Sequence, residues 1–263
     1  MRRTRRRPPA VLLAPGVLAL ALLVLPLLAL LLRAPWSALP RLLREPAVGE
    51  ALRLSLGTAA VATGLCVLLG VPLAWLLARA DLPGRAVVRA LVTVPLVLPP
   101  VVGGVALLLL LGRRGVVGRP LEALTGLTLP FTPAAVVLAE TFVALPFLVL
   151  AVEGALRGAD RRYEEVAATL GGTRWHVFRT VTLPLVAPGV AAGAVLSFAR
   201  ALGEFGATIT FAGSFPGRTQ TMPLAIYLAL ETDPEAAIAL SLVLLLVSVA
   251  VLAGLRERWT AVR

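Results

Sequence analysis

Long apolar runs separated by short polar segments set the pattern of this chain. Runs near 10–32, 55–78, 91–112, 132–152, 185–211 and 236–255 approach or exceed the roughly 18 nearly uncharged residues that suit a membrane-spanning helix. The pattern therefore predicts an all-α membrane protein with about six transmembrane helices. Pro26, Pro72, Pro146 and Pro188 fall inside these runs. Neighbouring helices in a membrane bundle can satisfy the backbone groups that proline leaves free. The stretch "PLVLPP" at 95–100 predicts a kinked or broken segment. The first run exceeds the apolar core of a secretion signal, usually about 7–15 residues, so it is read as a retained span.

Composition sharpens this picture. Of the 263 residues, 59% are hydrophobic and 15% charged, with a mean hydropathy of +0.92. Soluble domains carry about 25% charged residues. The net charge of +11 comes entirely from arginine on the basic side. A nucleic-acid surface would gather those arginines on one face. Here they lie between the spans, where basic residues orient membrane proteins. Sixteen arginines flank the spans on the side of the N-terminus, eight flank them on the other side, and Arg200 lies within a span. The bias predicts that both termini are cytoplasmic, with no nucleic-acid partner and with membrane lipid around the spans. Cys66 is the lone cysteine, sits in an apolar run, and reads as a small core residue. The chain divides into 1–49 (basic N-terminus, first span and external loop), 50–255 (the membrane domain) and 256–263 (a short cytoplasmic tail). External segments at 33–54, 113–131 and 212–235 are too short to fold alone.

The largest predicted cytoplasmic segment, 157–184, holds the most polar stretch in the chain, "YEEVAATLGGTRWHVFRTVTLP". Asp160 can cap a first helix, in which Tyr163, Val166, Ala167 and Leu170 share one face. Gly171 and Gly172 end that helix. Thr173 can cap a second helix carrying Trp175, Phe178 and Val181, and Pro184 is expected to stop it before the next span. The result is a helix–turn–helix elbow with an exposed apolar side. Physical chemistry alone allows two roles for it. It can rest on lipid headgroups, or it can dock a cytoplasmic partner.

The same stretch resembles the EAA motif of ABC-transporter permeases, E-A-A-x3-G-x9-I-x-L-P. Glu165, Ala167, Gly171, Leu183 and Pro184 match it, while Val166 stands for Ala and Val181 for Ile. The resemblance implies the type-1 importer permease fold and a loop that seats in a groove of an ATPase subunit. The chain has no G-x-x-x-x-G-K-[ST] phosphate loop. ATP and Mg are therefore expected on a separate ATPase chain, with no cofactor in this one. On this reading Ala167 leaves room for the partner and Gly171 lets the two helices pack closely. Glu165 meets a basic group on the partner or caps its own loop.

The stretch 197–233, "SFARALGEFGATITFAGSFPGRTQTMPLAIYLALETD", resembles the molybdate/tungstate permease branch, and sulfate/thiosulfate permeases are similar there. Residues 94–104 and 109–115 point the same way. The resemblance covers about 50–255. It implies a homodimer in a bacterial cytoplasmic membrane that imports an oxyanion, foremost molybdate, delivered by an extracytoplasmic molybdate-binding protein. Arg218 and Gln220 lie in a loop that would meet that protein. Arg200 and Glu204 are four residues apart and share a helix face. Charges at that depth mark a site or a buried pair. They can neutralise each other, or Arg200 can line the anion path with the hydroxyls of Thr208 and Thr210. Threonine also commonly bonds its own helix backbone. Glu140 is a further acid within a span.

Other classes fit less well. His176 is the sole histidine and lies on the elbow, with no H-E-x-x-H and no cysteine beside it, so it reads as a polar surface residue rather than a catalytic one. A secondary carrier would usually show an internal repeat, and none is visible. A channel would need a filter-like segment, also absent.

Overall fold

The computed structural model describes residues 10–260. In chain order the helices begin with α1 (Ala10–Arg33), α2 (Leu39–Leu42), α3 (Pro46–Arg79), α4 (Arg85–Val97), α5 (Pro100–Leu111), α6 (Gly118–Thr125) and α7 (Pro133–Gly158). Then follow α8 (Arg162–Thr169), α9 (Arg174–Val177), a π-helical turn (Phe178–Thr182) and α10 (Leu183–Leu202). The last are α11 (Gly206–Phe211), α12 (Met222–Thr232) and α13 (Pro234–Thr260). Among the described residues five helical segments are long and apolar enough to cross a membrane, and a sixth exists if α4 and α5 count as one bent span. The expected basic terminus at 1–9 and Arg263 lie outside the described residues.

α3, α7 and α10 form the centre. Lipid offers little drive for apolar helices to associate, so close approach of their backbones carries the packing. The sequence supplies it with small residues. A Cβ on Gly193 would lie 3.1 Å from the Ala151 Cβ and 3.2 Å from the Leu148 Cα. Gly189, one turn earlier on α10, sits closer still on Ala155. Gly70 of α3 faces Leu145 and Leu148 of α7. The Ser197 hydroxyl donates to the Ala144 carbonyl at 3.1 Å, fastening α10 to α7 again. α7 itself is well started: Pro133 occupies its first turn, and the Thr132 hydroxyl accepts from the Ala135 N–H.

Two further clusters complete the body. Ala135, Val136, Ala139 and Val143 of α7 bury against Ala207 and Phe211 of α11. Gly104 lets α5 rest on α11, since a Cβ there would meet the Ala207 carbonyl oxygen at 2.8 Å. Val48 and Ala51 at the start of α3 pack with Met222 of α12 and Leu240 of α13. By contrast, α1 touches α13 and leaves Leu18, Leu22 and Leu23 exposed. A rod that is apolar all round suits lipid.

Several boundaries differ from the sequence pattern, each for a local reason. The helix expected at 55–78 begins at Pro46, because proline fits the first turn and the amphipathic segment before residue 55 packs on α12. The run expected as one broken span at 91–112 starts at Arg85 and folds by 117° at residues 98–99. Pro99 and Pro100 cannot donate the backbone bonds that would carry the helix through. The run expected at 185–211 breaks at residues 203–205, between α10 and α11. In the other direction that helix reaches back to Arg174, and Pro184 does not stop it. The π-turn just before Pro184 shifts the bonding pattern, so the missing proline N–H and its ring are absorbed without a break. The segment 212–235, expected as an external loop, contains α12.

Candidate functional site

The elbow is built by its caps. Asp160 Oδ1 accepts from the Arg162 N–H at 3.0 Å, opening α8. α8 closes in a Schellman arrangement: the Gly172 N–H donates to the Ala167 carbonyl and the Gly171 N–H to the Ala168 carbonyl. Gly171 takes φ +88°, the left-handed conformation that glycine adopts without strain. Gly172 lacks room for a side chain, since a Cβ would lie 2.8 Å from the Ala167 oxygen. The Thr173 hydroxyl then accepts from the His176 N–H and starts α9. The spacing from Glu165 through Ala167 to Gly171 is thus the spacing of one capped helix and its left-handed exit.

The elbow presents an apolar surface outward. Leu170 is 84% exposed, and Tyr163, Val166 and Trp175 are exposed with it. Glu165 is exposed and its carboxylate makes no hydrogen bond or ion pair among the described residues, whereas Ala167 is half-buried. Val181 and Leu183 are half-buried in the continuous rod, and Pro184 is exposed on it. His176 is exposed on α9. Trp175 stacks on Phe178 at 5.6 Å, and Phe178 meets Trp75 of α3 edge-on at 6.1 Å. This aromatic trio anchors the second half of the elbow to the body. A cleft of about 690 Å³ lies between the elbow and the end of α3.

The same end of the molecule carries charged clasps. Glu153, nearly buried on α7, receives Arg89 of α4 at 2.6 Å and Arg157 at 2.7 Å. Glu164 of α8 pairs with Arg79 at the end of α3 at 3.2 Å. Arg161 donates to the Ala78 carbonyl at 3.0 Å.

The candidate pathway residues sit at the opposite end. Arg200 Nη1 and Glu204 Oε2 are 2.7 Å apart, with Arg200 partly exposed and Glu204 buried. They do not share one uninterrupted helix. Glu204 lies in the break after α10, and its Oε1 accepts from the Ala207 N–H at 2.7 Å, capping α11. Thr208 is fully buried and its hydroxyl has no partner among the described residues. Thr210 bonds the Gly206 carbonyl of its own helix at 2.8 Å and packs on Gly104. Glu140 is buried on α7, where the Thr58 hydroxyl of α3 donates to it at 2.9 Å. Arg218 is exposed, and the Gln220 side chain reaches Ser214 Oγ at 3.4 Å. Cys66 is buried between α3 and α7.

Sequence reasoning missed Glu153, Arg89, Arg79, Glu164 and Thr58. Glu153 falls just beyond the expected end of its span, yet its separation of four from Arg157 was a readable pair signal. The Gly189-x3-Gly193 spacing, a close-packing signature in an apolar helix, was also there to be read. The partners of Arg89, Arg79 and Thr58 are 64 to 85 residues away and left no local trace.

Comparison with known proteins agrees with this architecture. Residues 70–262 match the family described as "Binding-protein-dependent transport system inner membrane component". The chain is 53% identical over 246 residues to the molybdenum transport system permease protein ModB of Mycobacterium bovis, covering 93% of this chain and 92% of that one. It is 42% identical over 212 residues to the Escherichia coli K12 protein of the same name, covering 81% and 93%. Among solved structures, a bacterial ABC transporter involved in the import of the acidic polysaccharide alginate superposes with a TM-score of 0.74, at 18% identity, over 95% of this chain and 94% of that chain.

Proposed function

The chain belongs to the family of binding-protein-dependent transport system inner membrane components, and from that premise we propose that it is the membrane-spanning subunit of an ATP-driven importer of molybdate. It is a transport subunit of the inner membrane, not an enzyme. The observation that carries the cargo is the 53% identity, over nearly the whole of both chains, to a protein named for molybdenum transport.

On this reading the elbow faces the cytoplasm, as the arginine bias supports, and docks a separate ATPase chain that holds ATP and Mg. Tyr163, Val166, Leu170 and Trp175 supply the exposed apolar contact, and Glu165 supplies a free carboxylate at its edge. Gly171 sets the angle between the helices. Two copies of the chain, each with one elbow, serve two ATPases. An extracytoplasmic binding protein delivers the anion at the end that carries Arg218. The subunit itself holds cargo loosely: Arg200 is largely neutralised by Glu204 and offers no dense cluster of donors. A weak site suits a pathway that must release what it admits, as conduction through membrane pores requires.

The test is hydrolysis in reconstituted vesicles that contain the chain, its ATPase and its binding protein. Binding protein loaded with molybdate should stimulate ATP hydrolysis, with tungstate close behind. Stimulation by sulfate in place of both would overturn the cargo assignment.

A further inference from the structure

Glu164 stands beside the exposed Glu165 but turns inward. Its Oε1 accepts two bonds, from Arg79 Nε at 3.2 Å and from the Thr182 hydroxyl at 3.1 Å. Arg79 is the last residue of α3, with a side chain only 6% exposed, and its Nη2 also donates to the Ala159 carbonyl at 3.3 Å. Thr182 is buried and closes the π-turn that leads into α10. One carboxylate oxygen therefore joins the end of one span, the first helix of the elbow and the turn that starts another span.

The surroundings show why this junction matters. α8 has eight residues and none of them is buried. A helix that short is marginal without tertiary support. Its partner α9 is anchored by Val177 and the aromatic trio, whereas α8 faces the open cleft lined by Arg79, Glu164 and Thr182. The polar junction crosses that cleft. Thr182 is also diverted from threonine's usual habit. Thr180, two residues earlier, bonds the His176 carbonyl four residues back, while Thr182 spends its proton on Glu164. π-turns of this kind recur at functional sites and re-aim the residues around them.

We infer that Glu164 is a positioning residue for transport: it ties α8 to α3 and α10, so that motion imposed on the elbow moves both spans together. The inference rests on the elbow being the ATPase dock. Glu164 takes no part in the docking surface itself. Without the junction, the ATPase stays bound but its movement is lost in the cleft.

The experiment uses the assembled complex of chain, ATPase and binding protein in vesicles. Glu164→Ala should keep stoichiometric co-purification of the ATPase and leave basal ATP hydrolysis unchanged. Stimulation by molybdate-loaded binding protein should fall by about tenfold, a coupling loss of ordinary size. Arg79→Ala should do the same, and the double variant should be no worse than either single one. Arg79→Glu combined with Glu164→Arg should recover part of the stimulation that each single reversal loses. Thr182→Val removes one hydrogen bond and should lower stimulation by about threefold, which keeps the test open even if a charge variant fails to fold. Unchanged stimulation in Glu164→Ala would overturn the inference and leave the dock standing. An equal fall in basal and stimulated rates would make Glu164 merely structural. Loss of co-purification in Glu164→Ala would place it in the docking surface instead. Failure of the unaltered complex to co-purify would sink the parent reading itself.

Discussion

The elbow end and the opposite half of this subunit solve the same problem differently. Both must hold helices together, one at the margin of the bundle and the other inside it. At the elbow end, carboxylates are shared: Glu153 serves Arg89 and Arg157, and Glu164 serves Arg79 and Thr182. The Glu164 clasp holds α8, a helix with no buried residue of its own. In the opposite half Gly104 and Gly206 bring α5 and α11 into close backbone contact, and the polar groups are few. Glu140 meets Thr58, and Glu204 divides itself between Arg200 and the Ala207 N–H. The first arrangement joins elements across open space, so that a shift of one is passed to the next through the shared carboxylate. The second keeps its elements in one fixed arrangement, because close-packed interiors are bistable rather than deformable. The difference suits an elbow that works on a rigid bundle.

Changes at either end should break that contrast in distinct ways. The largest effect is expected from Gly193→Leu, which forces α10 away from Ala151 and Leu148 and should destabilise the subunit by about 3 kcal/mol or prevent its folding. Thermal unfolding in detergent reads this directly. Glu204→Ala removes the α11 cap and strands Arg200, for about 2 kcal/mol in the same assay; the partial exposure of Arg200 limits the loss. Gly171→Trp imposes a side chain on a left-handed backbone and should cost about 1 kcal/mol of stability. Membrane insertion should survive it, while co-purification of the ATPase is abolished. Retained stoichiometric co-purification would remove the elbow from the dock. The smallest structural effect belongs to Glu165→Gln, whose carboxylate touches nothing in the chain. Its melting should not move, and any change should appear only as weaker ATPase binding in a titration.

The two regions were also unequally legible in the sequence. The elbow could be read residue by residue because its determinants are local: Asp160, Gly171 and Thr173 act on neighbours two or three residues away. The spans were legible as apolar runs, but their breaks were not. Glu204 reads as one more residue of a helix until its carboxylate is seen capping Ala207. Pro184 reads as a stop until the π-turn before it is seen. The close helix contacts hide their logic in small residues, since Gly104, Gly189 and Gly193 announce only that something comes close, not what. Long-range clasps such as Arg79 with Glu164 depend on the folded arrangement of three elements and left no pattern to read.

The central claim is that the elbow is a joint to another protein rather than a pair of helices resting on lipid. A photoactivatable residue at position 170, where Leu170 is 84% exposed, tests it in native membranes containing the assembled transporter. The account predicts a covalent adduct with the ATPase subunit, weakened by Gly171→Trp. Adducts with lipid alone, unchanged by that substitution, would contradict it.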